Sequence, residues 1–148
     1  MRTKRILVPV DFSKPSLAAL RYANELAHAL KGFIDVVHVI EAVAYAPMIG
    51  PSVDLDRLRE EQERRARRQL DRIGATLGKR LGRKHMLLRV GGAASSIVDE
   101  AKHRGTDLIV MSTQGRHGVG RWLLGSVAER VVRTADCPVL IVPPRRSR

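Results

Sequence analysis

The sequence predicts an α/β domain, doubly wound around a five-stranded parallel sheet. Short aliphatic and β-branched runs alternate with longer stretches of helical period along all 148 residues, in the order βαβαβαβαβ. Asp107 to Met111 is an apolar run without alternation, as expected of a parallel strand covered on both faces. The length and a hydrophobic content of 44% suit a single core. Such alternation implies right-handed crossovers with helices on both faces of the sheet. Ligands of such folds bind outside the carboxyl ends of the strands, where the strand order reverses.

Each element has its own local reason. Ile6 to Val10 is the first strand, followed by the turn Asp11-Phe12-Ser13-Lys14-Pro15, with Ser13 placed to cap a helix and Pro15 in its first turn. That helix runs to about Lys31, burying Leu20, Ala23, Ala27 and Leu30, and Gly32 stops it. Ile34 to Ile40 is the second strand. Glu41 to Val53, with Pro47, Gly50 and Pro51, reads as a loop long enough to cover a ligand or partner. Asp54 to Leu77 is a long helix with Leu55, Leu58, Ala66, Ile73 and Leu77 on one face.

The third strand, Met86 to Val90, ends at Gly91-Gly92. A short helix from Ser95, its cap, to His103 stops at Gly105. Asp107 to Met111 is the fourth strand, and Ser112 to Arg121 is a glycine-rich loop. The helix after it reaches Thr134 and carries Leu124, Val127, Ala128, Val131 and Val132 inward. Cys137 to Val142 is the fifth strand, closed by Pro143 and Pro144. The domain is expected over residues 1–144, with Arg145 to Arg148 as a basic tail.

Composition narrows the function classes. Twenty-seven Lys and Arg against 15 Asp and Glu give a formal charge of +12, which attracts polyanions without choosing among them. The five aromatic residues, Phe12, Tyr22, Phe33, Tyr45 and Trp122, are scattered and form no stacking platform for single-stranded nucleic acid. The single cysteine, Cys137, excludes an internal disulfide and fits a reducing cytoplasm. No apolar run reaches the ~20 residues that span a bilayer, and the basic start is followed by too short an apolar run for a signal peptide. A cytoplasmic location without membrane attachment is expected.

The loop after the fourth strand carries the strongest chemical signal. Glycines let backbone N–H groups approach a phosphate, and the N-terminus of the following helix favours an anion. Gly125-Ser126 lies near that helix start, and Arg116 and Arg121 add positive charge. The spacing fits neither a Walker A loop nor a dinucleotide fingerprint. The plain alternative is a flexible connection whose glycines only relieve strain.

Here the sequence resembles the universal stress protein family. Nucleotide-binding members carry G-x2-G-x9-G-S/T after the fourth strand, and this chain matches with Gly115, nine residues from Arg116 to Leu124, then Gly125-Ser126. The first glycine of the motif is replaced by Ser112. Ile6 to Ser13 resembles the family's first strand and turn, His38-Val39-Ile40 its second strand, and Gly125 to Val131 with Cys137 to Val142 its C-terminal half.

The resemblance implies a Rossmann-like sheet of order 3-2-1-4-5, adenine nucleotide hydrolase-like in type, with strands one and four beside the reversal. It implies that Pro9, Val10, Asp11 and Val39 line the adenine and ribose side, Asp11 accepting from ribose hydroxyls. Met111, Ser112, Gly115, Arg116, Gly125, Ser126 and Val127 would surround the ribose and phosphates. It further implies ATP as ligand, with Mg²⁺ bridging phosphates in any slow hydrolysis, and a homodimer through the last strand. The apolar edge Val139-Val142 gives that dimer a physical reason.

Ser112 acts in one of three ways. It occupies a φ > 0 position at a cost of roughly 1–2 kcal/mol, or its Cβ crowds a phosphate, or its hydroxyl donates to one. Asp11 has the alternative role of helix cap, although Ser13 is available for that. The five histidines show no metal-ligand spacing, and Ser126 has no motif-fixed His and acid partners, so neither a metal site nor a hydrolase triad is expected. Cys137 is expected to pack without special reactivity.

Arg57 to Lys84 holds eleven Lys or Arg and four acids. The pairs Glu60 with Arg64, Glu61 with Arg65 and Glu63 with Arg67 are spaced to support an exposed helix. The function expected is an ATP-binding stress-response sensor or regulator, acting by binding rather than turnover. The rivals are a homodimeric interaction module of the same fold that holds no nucleotide, and a basic protein that binds nucleic acid.

Overall fold

The computed structural model describes residues 5–41, 54–77, 86–113 and 124–143. Five strands, β1 (Arg5–Pro9), β2 (Phe33–Ile40), β3 (Met86–Val90), β4 (Leu108–Ser112) and β5 (Val139–Val142), form one parallel sheet in the order β3-β2-β1-β4-β5. Four helices connect them: α1 (Lys14–Leu30), α2 (Leu55–Thr76), α3 (Ala93–Arg104) and α4 (Ser126–Thr134). The expected fold class and strand order hold.

Side chains alternate along each strand and so build two cores, one on each face of the sheet. Ile6 and Val8 of β1, and Val10 just after it, point with Ile34, Val36 and Val110 to α1 and to Leu70 of α2. Leu7, Val37, Ile109 and Met111 point the other way, to Ile97 and Ala101 of α3 and Ala128 and Val131 of α4. Buried on both faces, β1, β2 and β4 are the centre of the sheet, and β5 is an edge whose four residues are only partly covered.

Several local expectations shift. The left-handed residue ending α1 is Lys31, at φ 53°, not Gly32; the Gly32 N–H then reaches back to the Ala27 carbonyl at 2.8 Å. Gly105, at φ 60°, ends α3 as expected. The α3 N-cap is Gly92, and Ser95 lies inside the first turn, where its hydroxyl donates to the Gly92 carbonyl at 3.1 Å. Leu30 and Val132 are exposed rather than buried, and so is Leu124, which precedes α4.

Leu55 and Leu58 are also exposed, at 46% and 44%, while Leu70 takes the core position of α2. The reason is length. A helix of 22 residues spans ~33 Å, whereas β3 beneath it has 5 residues and spans ~17 Å. The apolar stripe of α2 therefore outruns the sheet, and its first turns project beyond the carboxyl ends of the strands. On this helix Arg65 pairs with Glu61 at 3.0 Å as expected, but Glu63 pairs backward with Arg59 at 3.5 Å.

Candidate functional site

The strand order reverses between β1 and β4, since β1 is followed in sequence by its neighbour β2 while β3 crosses over to β4. The carboxyl ends of these strands open into one cleft of about 1110 Å³. Single-ligand pockets usually fall near 300–1,000 Å³, so the space is ample.

The β1 end supplies Pro9, Val10 and Asp11 to the cleft wall. The Val10 N–H donates to the Val37 carbonyl at 2.8 Å, which fixes the exit of β1 against β2. Phe12 then takes φ 65°, a left-handed conformation that a bulky aromatic residue rarely adopts. Its ring is held 4.3 Å from the His38 ring, and His38 Nδ1 lies 2.7 Å from the Val10 carbonyl oxygen. This arrangement turns the chain sharply and leaves Asp11 at the cleft.

Asp11 and Ser13 divide the capping work. Ser13 is the N-cap of α1, its hydroxyl oxygen accepting from the Ser16 N–H, and it donates its own N–H to Asp11 Oδ1 at 3.0 Å. Its hydroxyl proton also goes to Asp11 Oδ1, at 2.5 Å. Asp11 therefore holds the cap residue rather than capping the helix. Val39 lines the cleft from β2, beside His38.

The β4 end contributes Met111 and Ser112, and the start of α4 contributes Gly125, Ser126 and Val127. The Gly125 N–H donates to the Thr113 carbonyl at 2.8 Å, which pins the start of α4 to the end of β4. Gly125 is the α4 N-cap and has no side chain to occupy the first-turn amides, unlike Ser13 on α1 and Asp54 on α2. Ser112 is an extended β4 residue paired with Val142, and it is not among the residues with positive φ, so the strained alternative for this position is removed. Gly115 and Arg116 lie outside the described residues, as do the loop of residues 42–53 and the tail.

Nine of the eleven residues that the sequence singles out thus stand around one cleft. Sequence reasoning missed a further wall, formed by Gln62, Arg65, Arg68, Gln69 and Arg72 of α2. No motif marks these residues, which flank the buried Ala66 and Leu70 on α2. Cys137 is elsewhere, beneath β5, where burial and then the carboxylates of Asp136 and Asp107 push its thiol up and keep it protonated. Among the described residues no helix is long and apolar enough to cross a membrane.

Fold and cleft together define a doubly wound α/β domain with its ligand cleft at the topological switch point. The sequence model of the universal stress protein family matches residues 2–143, and the chain belongs to that family. It is 35% identical over 144 residues to universal stress protein MJ0531 of Methanocaldococcus jannaschii, covering 94% of this chain and 81% of that protein. Among solved structures it is similar to MJ0577, with a TM-score of 0.81 and 26% identity over 99% of this chain and 100% of that one. A universal stress protein solved in complex with cAMP shares the fold, at a TM-score of 0.63 and 24% identity over 97% of this chain and 98% of that one.

Proposed function

We propose that this cleft binds an adenine nucleotide, ATP, and that the chain is a cytoplasmic stress-response sensor or regulator whose state follows occupancy of the cleft. The observation that carries the reading is the start of α4. Its N-cap is a glycine, its first-turn residues Ser126 and Val127 face the cleft, and an uncapped helix N-terminus offers unpaired N–H groups and a positive dipole end to a phosphate.

The remaining residues fit the rest of a nucleotide. Pro9, Val10 and Val39 give an apolar wall suited to the base, and Asp11 lines the same cleft, where ribose hydroxyls would donate to its carboxylate. A fold relative that holds cAMP agrees with an adenine nucleotide at such a cleft. The partly covered edge β5 supports a homodimer through Val139-Val142.

The test is to denature freshly purified protein and identify any released nucleotide by chromatography and mass spectrometry, with melting curves in added ATP alongside. At a hundredfold excess over Kd, binding stabilises by ~2.7 kcal/mol, which raises Tm by several degrees in a domain of this size. The absence of both a released nucleotide and a shift in Tm would overturn the assignment.

A further inference from the structure

The α2 wall of the cleft is not explained by any of the motif residues. Arg65, Arg68 and Arg72 all line it, together with Gln69. The spacing i, i+3, i+7 sets the three arginine stems along one flank of the helix. Arg65 is tied to Glu61 at 3.0 Å. Arg68 and Arg72 have no carboxylate partner among the described residues.

Two like charges four residues apart repel each other on a helix surface. Asp71 is the acid nearest this pair on α2, and among the described residues it forms no ion pair with either arginine. The acids of α2 fall mostly in the first half, at Asp56, Glu60, Glu61 and Glu63, so that residues 64–72 hold five arginines and one acid, Asp71. Arg64 and Arg67 are exposed and do not line the cleft, whereas Arg68 and Arg72, also exposed, do. Guanidinium groups so placed, beside the neutral donor Gln69, match the geometry of phosphate oxygens, which they bind through paired N–H donors.

The cleft has room for this second task. Its volume, about 1110 Å³, stands at the upper end for single-ligand pockets. The start of α4 is bonded to the end of β4 through Gly125 and Thr113, and α2 adjoins β2 and β3, so β1 separates the two ends by at least two strand spacings, ~10 Å.

We propose that Arg68 and Arg72, supported by Arg65 and Gln69, form a second phosphate subsite at the β2 end of the cleft, apart from the start of α4. Its ligand is a polyphosphate group, supplied either free or as a distant part of an extended nucleotide. The subsite does not rest on the nucleotide reading, since its arginines belong to a different element from the residues assigned to ATP.

Titration calorimetry with three probes tests it: ATP, inorganic tripolyphosphate added to ATP-loaded protein, and diadenosine tetraphosphate. The double variant Arg68→Gln/Arg72→Gln is compared with Arg64→Gln/Arg67→Gln, which removes the same charge from the same helix outside the cleft. A free source is indicated if tripolyphosphate binds the ATP-loaded protein at one site. A tethered source is indicated if the dinucleotide binds at least tenfold more tightly than ATP. In either case the gain is expected to fall at least tenfold in the first variant and less than twofold in the second, with ATP affinity held within twofold in both.

Equal losses in the two variants would reduce the effect to net charge and overturn the subsite. So would the absence of both gains in the unaltered protein. Arginine-dependent tripolyphosphate binding by a protein that ignores ATP would instead overturn the nucleotide reading and leave the subsite standing. Melting curves of both variants check that these exposed substitutions leave the fold intact.

Discussion

The guanidinium of Arg104 stands 3.4 Å from the carboxylate of Asp35, a residue of a central strand whose side chain is 1% exposed. The same guanidinium lies 2.6 Å from Glu100, one turn earlier on α3, and Glu100 is reached from the other side by Arg89, also at 2.6 Å. Asp35 points to the α3 face of the sheet, so α3 is fastened to β2 and β3 by charge as well as by apolar packing. Removing one member of such a cluster leaves the others buried and underpaired.

Arg104→Met is therefore expected to lower the unfolding free energy by an amount at the lower end of ~3–5 kcal/mol, the cost of breaking a buried ion pair. Arg89 still holds Glu100 in that variant, which moderates the loss. Urea denaturation at neutral pH measures it. A change below about 0.5 kcal/mol, the level of an ordinary surface substitution, would show that the cluster contributes nothing to stability.

The same cluster sets an acid limit. Burial opposes ionisation of Glu100, but hydrogen bonds from Arg104 and Arg89 outweigh it and hold the carboxyl below the ordinary carboxylate range. A depressed folded pKa means that the stabilisation is complete above the unfolded value and is lost as pH falls through the folded one. Glu100→Gln should accordingly melt well below the unaltered protein at neutral pH, and the gap in Tm should close on acidification past the usual carboxylate pKa. A gap independent of pH would assign the effect to packing instead.

Lys31 holds a left-handed conformation that costs an L residue roughly 1–2 kcal/mol and that glycine adopts freely. Glycine also loses more freedom on folding, which offsets part of the relief. Lys31→Gly is expected to stabilise by ~0.5–1 kcal/mol, read from the shift in urea midpoint at constant slope. The Lys31 and Gly32 N–H bonds to the end of α1 are retained by the substitution. Destabilisation would mean that the lysine side chain makes a contribution larger than its strain.

These residues also show what was legible in the sequence. Met86 to Val90, the cap at Ser13 and the stop at Gly105 are local signals, and each stands where the pattern puts it. Nine of the proposed site residues line one cleft; a motif of fixed spacing marks Ser112, Gly125 and Ser126 among them, and the resemblance of the flanking strands and helix marks the others. Neither Asp35 with Arg104 nor the arginine flank of α2 could be read this way. The first pair is 69 positions apart, and the second stands at the cleft only because tertiary packing seats Ala66 and Leu70 of α2 against the core beside it. Periodicity puts Leu55 and Leu58 on the apolar face of their helix; it does not tell where the neighbouring sheet ends, and the core stops short of both.

Ser112 tests the motif directly. Its backbone is extended and in register with Val142, so glycine relieves no strain there and weakens the strand by ~0.5–1 kcal/mol. Under the nucleotide reading, Ser112→Gly is expected to lower stability by that amount and to change ATP affinity by less than twofold. A tenfold gain in affinity would identify the serine Cβ as an obstruction at the phosphates and favour an interaction module that holds no nucleotide.

The edge strand offers a test of assembly that spares the core. Side chains of β5 alternate between the two cores, Leu140 and Val142 to one and Val139 and Ile141 to the other, so a charge at any of them would damage the domain itself. The backbone is the better target. The Ile109 N–H donates to the Pro138 carbonyl at 3.0 Å, and in a parallel ladder this turns the Leu140 and Val142 amides toward β4 and the Ile141 amide outward. Proline is tolerated on an edge strand where the lost N–H faces away from the sheet. Ile141→Pro should therefore keep a cooperative melt while removing the donor that a partner strand would use. Light scattering is expected to find a dimer for the unaltered chain and a monomer for the variant. A dimer that persists in the folded variant would move the interface away from β5.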